Sequence, residues 1–195
     1  MPFSIPPSKA IFAAVDFESA GVAQGGTDTP IQIGIAVMQG LDVAGAAQFV
    51  SYLHTDRPVL WQASKVHGIT TRDLEDAPTF LSLWPQVKTQ LGGRLVVAHG
   101  SGTEKRFLRA FPMHGFGPWV DTLTLARRFW PGVRDYSLET LIAAGGLQQE
   151  LSAACPGRQF HDALYDSMAS LLVLRHVVEH AGLAEVPLER WLGQP

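Results

Sequence analysis

The apolar positions change period part-way along the chain. Up to residue 53 they come as short β-capable runs over 10–15, 31–38 and 46–53. Gly21, Gly25 and Gly26 interrupt the stretch from Ser19 to Pro30, and Gly40 and Gly45 part the second run from the third. Connections this short predict an antiparallel meander. Beyond it, Leu83, Val87 and Leu91 recur at four-residue spacing and predict a helix over 79–91, entered after Pro78. Residues 94–99 read as a buried strand followed by a helix over 103–111, and 119–121 as a short strand leading into a helix over 122–129. Ser137 opens a further helix that Gly145 and Gly146 stop, and the longest helix is expected over 161–180. Strands first and then strand–helix alternation predict an α/β fold, a mixed sheet covered by helices.

Length and composition narrow this picture. A chain of 195 residues suits one core, so residues 10–195 are expected to form a single domain behind a flexible, Pro-rich leader over 1–9. Hydrophobic residues at 46% and charged residues at 17% exclude a disordered chain. The one cysteine, Cys155, cannot form an internal disulfide. The apolar run before Asp16 is too short for a secretory segment, and no later stretch approaches the ~20 residues of a membrane span. A cytoplasmic location without membrane contact is therefore expected. A net charge of −3 argues against a basic coat for duplex nucleic acid. It leaves room for an enzyme that grips a strand end with local positive charge.

Three segments carry candidate chemistry. In Asp16-Phe17-Glu18, strand alternation turns both carboxylates to one face and Phe17 to the other. Two such charges repel by roughly 4 kcal/mol at an effective dielectric near 20. No Lys or Arg lies between Ala10 and Asp56 to offset them, so the pair reads either as two solvated acids or as a cation site. Near the long helix, His161 and Asp166 would flank a common site about 140° apart around the axis. They read equally as a helix cap and a first-turn acid. Glu104 shares a helical face with Phe107, Leu108 and Phe111, a costly place for an acid unless it is paired, bound to a cation or bent to solvent. It is the only carboxylate between Asp76 and Asp121. Asp162 is expected to be exposed, and His67 and His99 to be structural. Lys105, Arg106 and Arg109 are expected to form a solvated helix face, and the five tryptophans mostly to pack.

Taken in order, these segments resemble the DEDDh exonucleases, the family of the polymerase proofreading subunit, ribonuclease T and oligoribonuclease. The resemblance runs over about 11–174. Asp16, Glu18 and Gly21 match the first motif, Asp-x-Glu-x-x-Gly, and His161, Ala163 and Asp166 match the third, His-x-Ala-x-x-Asp. VHGIT from Val66 to Thr70 and DTLTLARRFWP from Asp121 to Pro131 support it. The second motif departs: where the family reads His-Asn-x-x-Phe-Asp, this chain has His99, Gly100, Thr103 and Glu104, with the acid one methylene longer.

The resemblance implies a ribonuclease H-like fold, a mixed five-stranded sheet flanked by helices on both faces. It implies 3′→5′ hydrolysis at the 3′ ends of single-stranded DNA or RNA, releasing nucleoside 5′-monophosphates. Two divalent cations, Mg²⁺ or Mn²⁺, are implied with it, and oxygen-rich ligands suit those ions. Asp16 would bridge both ions, Glu18 and Asp166 would hold the one beside the attacking water, Glu104 would support the second, and His161 would be the general base. Two other readings stay open: a catalytically weakened nucleic-acid-binding module altered at the second motif, and a phosphoesterase for short oligonucleotides. Oligomeric state is open too, a homodimer included.

Overall fold

The computed structural model describes residues 4–23 and 26–192. Five strands form one mixed sheet in the order β3-β2-β1-β4-β5. They are β1 (Ile11–Ser19), β2 (Pro30–Gln39), β3 (Asp42–Tyr52), β4 (Leu95–Ala98) and β5 (Trp119–Asp121). The first three pair antiparallel, whereas β4 runs parallel to β1 and β5 parallel to β4. Seven α-helices are described: α1 (Trp61–His67), α2 (Trp84–Leu91), α3 (Gly102–Leu108), α4 (Thr122–Phe129), α5 (Leu138–Ala144), α6 (Gln148–Ala154) and α7 (Ala163–His180). The α/β class and the five-stranded mixed sheet are as expected.

Alternation along β1 divides the core. Phe12 and Ala14 face α4–α7, where they meet Val97, Val120, Ile142 and Met168. Ala13, Val15 and Phe17 face the other way, against Val87, Leu91, Phe107 and Leu108 of α2 and α3. Helix α7 is buried on almost every side from Ala163 to Leu174, which is why its apolar residues show no clean stripe. No helix among the described residues is long and apolar enough to cross a membrane.

Several boundaries differ from the sequence reading. Strand β1 does not stop at Asp16; it continues through Glu18 to Ser19, because Asp16 pairs with Gly34 and Glu18 with Gln32 across the ladder. Polar side chains ended the apolar run without ending the backbone pairing. The 79–91 helix is a 3₁₀ turn at Leu81–Leu83 followed by α2, with Pro85 in its first turn. Helices α1 and α6 lack a clear apolar period and were not expected. The long helix starts at Ala163, two residues later than expected, with Asp162 as its N-cap. Residues 4–9 are not a loose leader: Pro7–Lys9 forms a 3₁₀ turn, Ser8 N–H donates to Ala184 O, and Ile5 O accepts from Leu188 N–H. Residues 1–3 of that segment lie outside the described residues.

Candidate active site

Strands β1, β4 and β5 are parallel, so their carboxyl ends open on one edge of the sheet, the usual place for a site in such folds. Asp16 and Glu18 continue the row of Phe12 and Ala14 beyond the apolar core. Phe17 points oppositely and packs edge-on against Phe80 and Phe107. Gly21, just past the strand, has φ +87° and donates its N–H to Asp28, a conformation that favours glycine.

Helix α7 brings the third motif to this edge by a close crossing over β2. A Cβ on Gly34 would lie 2.1 Å from the carbonyl carbon of Ala163, so only glycine lets the helix start so near the sheet. Gln32 accepts from Ala163 N–H, and Ser167 Oγ donates to Gly34 O. Asp162 Oδ1 caps the helix by accepting from the N–H groups of Leu164 and Tyr165. Asp162 is therefore half-buried and bonded, contrary to the expectation of exposure.

Ligand-type atoms of Glu18, His161 and Asp166 lie within 4.8 Å of one another. His161 stands outside the helix, at φ +67°, with its side chain exposed and its N–H donated to Asp166 Oδ2. The helical geometry expected for the His161–Asp166 pair is thus replaced by a turn that folds back on the acid. Asp16 and Glu104 stand outside this trio; Asp16 is coupled by charge to Glu18 and Asp166, and Glu104 to Asp16. Burial first, and then the charges of Asp166, Glu104, Glu18 and Asp162, hold the Asp16 carboxyl well above its ordinary range. Burial with the charges of Asp166 and Asp162 pushes Glu18 to about 8. Burial raises Asp166 to about 7 against the opposing His161 N–H bond.

Glu104 enters from the first turn of α3 and is 5% exposed. Burial raises it to about 7, with Asp121 adding to the effect and Arg106 and Lys105 opposing it. Glu104 Oε2 and Asp166 Oδ1 are buried without a hydrogen-bond partner. No ion pair joins Asp16, Glu18, Glu104 or Asp166 to a lysine or arginine among the described residues. Asp121 builds the turn before α3: its carboxylate accepts from Gly100 and Ser101 N–H and also caps α4.

The remaining candidates are structural or on the surface. His67 Nδ1 accepts from Ile69 N–H, which leaves Nε2–H to donate to Ser19 O. His99 is wedged between Thr122 Oγ1 and Tyr136 O. Lys105, Arg106 and Arg109 are exposed. Trp61 does not pack as expected; it is 65% exposed beneath the ammonium of Lys65. A cavity of about 570 Å³ opens beside His161, between His67 and the 156–162 turn.

Residues 13–174 match the family model described as Exonuclease, with both outer motifs inside the match. The chain belongs to the DEDDh exonucleases. Among curated proteins it is 29% identical to exodeoxyribonuclease 10 of Escherichia coli K12, over 93% of this chain and 74% of that protein. It is 30% identical to a PolC-type DNA polymerase III of Thermotoga maritima, where the match covers 87% of this chain and only 12% of the polymerase. Among solved structures, exonuclease X in complex with 5′ overhanging duplex DNA superposes with a TM-score of 0.71 at 27% identity. That match covers 93% of this chain and 99% of the other. The nuclease domain of 3′hExo, a DEDDh family member bound to rAMP, shares the fold at a TM-score of 0.69 and 16% identity.

Gly34 and Gln32, which the sequence did not single out, and Asp162, which was expected to be exposed, all shape this site. Gly34, a lone glycine inside a strand pattern, is a sign of close backbone approach. Asp162 ahead of an apolar helix is an N-cap signal. Gln32, polar and buried, carries no local sign at all.

Proposed function

We propose that this exonuclease acts in the 3′→5′ direction on single-stranded DNA or RNA ends, with residues 10–192 working as one catalytic domain. The observation that carries the reading is a set of four carboxylates, largely buried and held high in pKa, of which two present oxygens without partners. Such oxygens are costly unless a cation meets them. All are hard oxygen ligands, which fits Mg²⁺ or Mn²⁺. Asp16, Glu18, Glu104 and Asp166 would hold two such ions. When bound, the ions supply charge neutralisation, a lowered pKa for the attacking water and stabilisation of the leaving oxygen.

The chain's own groups do the rest. His161, exposed at the rim and beside Glu18 and Asp166, takes a proton from the attacking water as general base. Water oxygen bonds to phosphorus, the 3′-oxygen of the penultimate nucleotide leaves, and a nucleoside 5′-monophosphate departs. Likeness to an exodeoxyribonuclease, and to an exonuclease held on overhanging duplex DNA, supports DNA as one substrate. Glu104, although longer than the family's acid, is buried and acts on Asp16, which supports an active enzyme over a binding-only module.

The test is a 5′-labelled single strand incubated with Mn²⁺ or Mg²⁺. A ladder of shortened strands with release of nucleoside 5′-monophosphate is expected, abolished by EDTA and by Asp16→Ala. A strand left intact by the metal-supplemented protein overturns the reading.

A further inference from the structure

The turn that carries His161 is closed by an ion pair. Residues 155–162 join α6 to α7, and within them Arg158 Nη1 meets Asp162 Oδ2 at 2.5 Å. Gln32 Nε2 donates to that same oxygen, and Asp162 N–H to Gln159 O. Asp162 Oδ1 is already committed to the cap of α7, so Arg158 ties the turn to the rigid start of the helix. His161 lies inside this five-residue loop at φ +67°, a region that is unfavourable for a non-glycine residue. Such a conformation persists only where the surroundings over-determine it. The imidazole itself is exposed, so its aim depends on the backbone that carries it.

The guanidinium has a second effect. Asp162 is a further acid beside the cluster, and its charge acts on Asp16, Glu18 and Asp166. Arg158 offsets that charge through its ion pair.

We propose that Arg158 is a positioning residue for the reaction: through its ion pair with Asp162 it fixes the His161 turn, and so the place of the imidazole beside Glu18 and Asp166. The inference rests on the reading of His161 as general base. It assigns Arg158 no contact with substrate, although the residue borders the cavity beside His161.

The experiment uses the full chain with Arg158→Ala, Arg158→Lys and Asp162→Asn, alone and in the His161→Ala background. Asparagine keeps the helix cap while removing the ion pair. With a labelled single strand and Mn²⁺, Arg158→Ala lowers kcat about 10- to 100-fold while KM changes little, as for a catalytic group displaced by about 1 Å. Arg158→Lys recovers most of the rate. Asp162→Asn matches Arg158→Ala, the double variant is no worse than either, and neither change matters once His161 is alanine. A readout independent of turnover is amide hydrogen exchange in the metal-free protein, where the His161 N–H exchanges faster in Arg158→Ala and Asp162→Asn. A raised KM with intact kcat, additive losses, or unchanged exchange at His161 overturns the proposal. Wild-type protein that degrades no strand refutes the exonuclease reading instead, and the exchange measurement still decides whether the brace exists.

Discussion

His161 and Glu104 show how differently two site residues can be held. His161 is exposed, reaches the site through a turn, and spends its backbone N–H on Asp166. Replacing it with alanine should lower the rate roughly 10²–10⁴-fold, the usual range for a general base. Binding of Mn²⁺, followed by calorimetry, should largely survive, because the carboxylates stay in place. An unchanged rate would remove His161 from the mechanism. Glu104 is buried and unpaired at one oxygen, so its charge opposes folding. With its carboxyl held at about 7, Glu104→Gln should stabilise the metal-free protein at pH 8 by up to about 3 kcal/mol. In a thermal melt that is about 2–4 °C for each kcal/mol at this chain length. The same variant should lose most strand cleavage, the pattern of a residue kept for function at the expense of stability.

At the scale of elements, the decisive contact is α7 against β2. Gly34 is buried in the sheet directly under the first turn of the helix, and any side chain there would strike backbone rather than a movable side chain. Gly34→Ala should therefore cost at least the ~1–3 kcal/mol typical of overpacking, seen as a lower melting temperature. It should also reduce activity beyond the stability loss, since the displaced helix carries Asp166 and, through Asp162, the His161 turn. Activity that follows only the folded fraction would show that the crossing matters for packing alone. Asp121 plays the matching part on the other side, binding the turn before α3 and capping α4 with one carboxylate.

Over the whole molecule, the acid cluster sets a pH dependence. Glu18, Glu104 and Asp166 have folded-state values of about 8, 7 and 7, all above their ordinary range. A carboxyl whose pKa is raised on folding binds its proton more tightly in the native state. Its contribution is then fully present below the unfolded pKa and is lost as pH rises through the folded one. In EDTA, the melting temperature should fall as pH is taken from about 5 to about 8.5, opposite to a protein held by carboxylate ion pairs. Added Mn²⁺ should reverse most of the fall at the alkaline end, because it binds the deprotonated cluster of the native state. A melting temperature that rises over this interval in EDTA would contradict the raised carboxyl values of the cluster.

The sequence by itself determined the α/β class, the strands of the sheet to within a few residues, and which acids were candidates. Those features follow from local periodicity and from residue types in a fixed order, and both survive without coordinates. It could not place the start of α7 or the end of β1. Backbone pairing with Gly34 and Gln32, and a cap two residues further on, outweighed the local polarity at those points. Helices α1 and α6 were hidden because neither buries a regular apolar stripe. Only the tertiary structure decided how the acids meet. Desolvation and mutual repulsion depend on distances between segments some 60 to 150 residues apart, which local spacing does not encode. The Arg158–Asp162 tie is close in sequence, yet its significance also lies in three dimensions, since it fixes a turn that packing alone brings to the carboxylates.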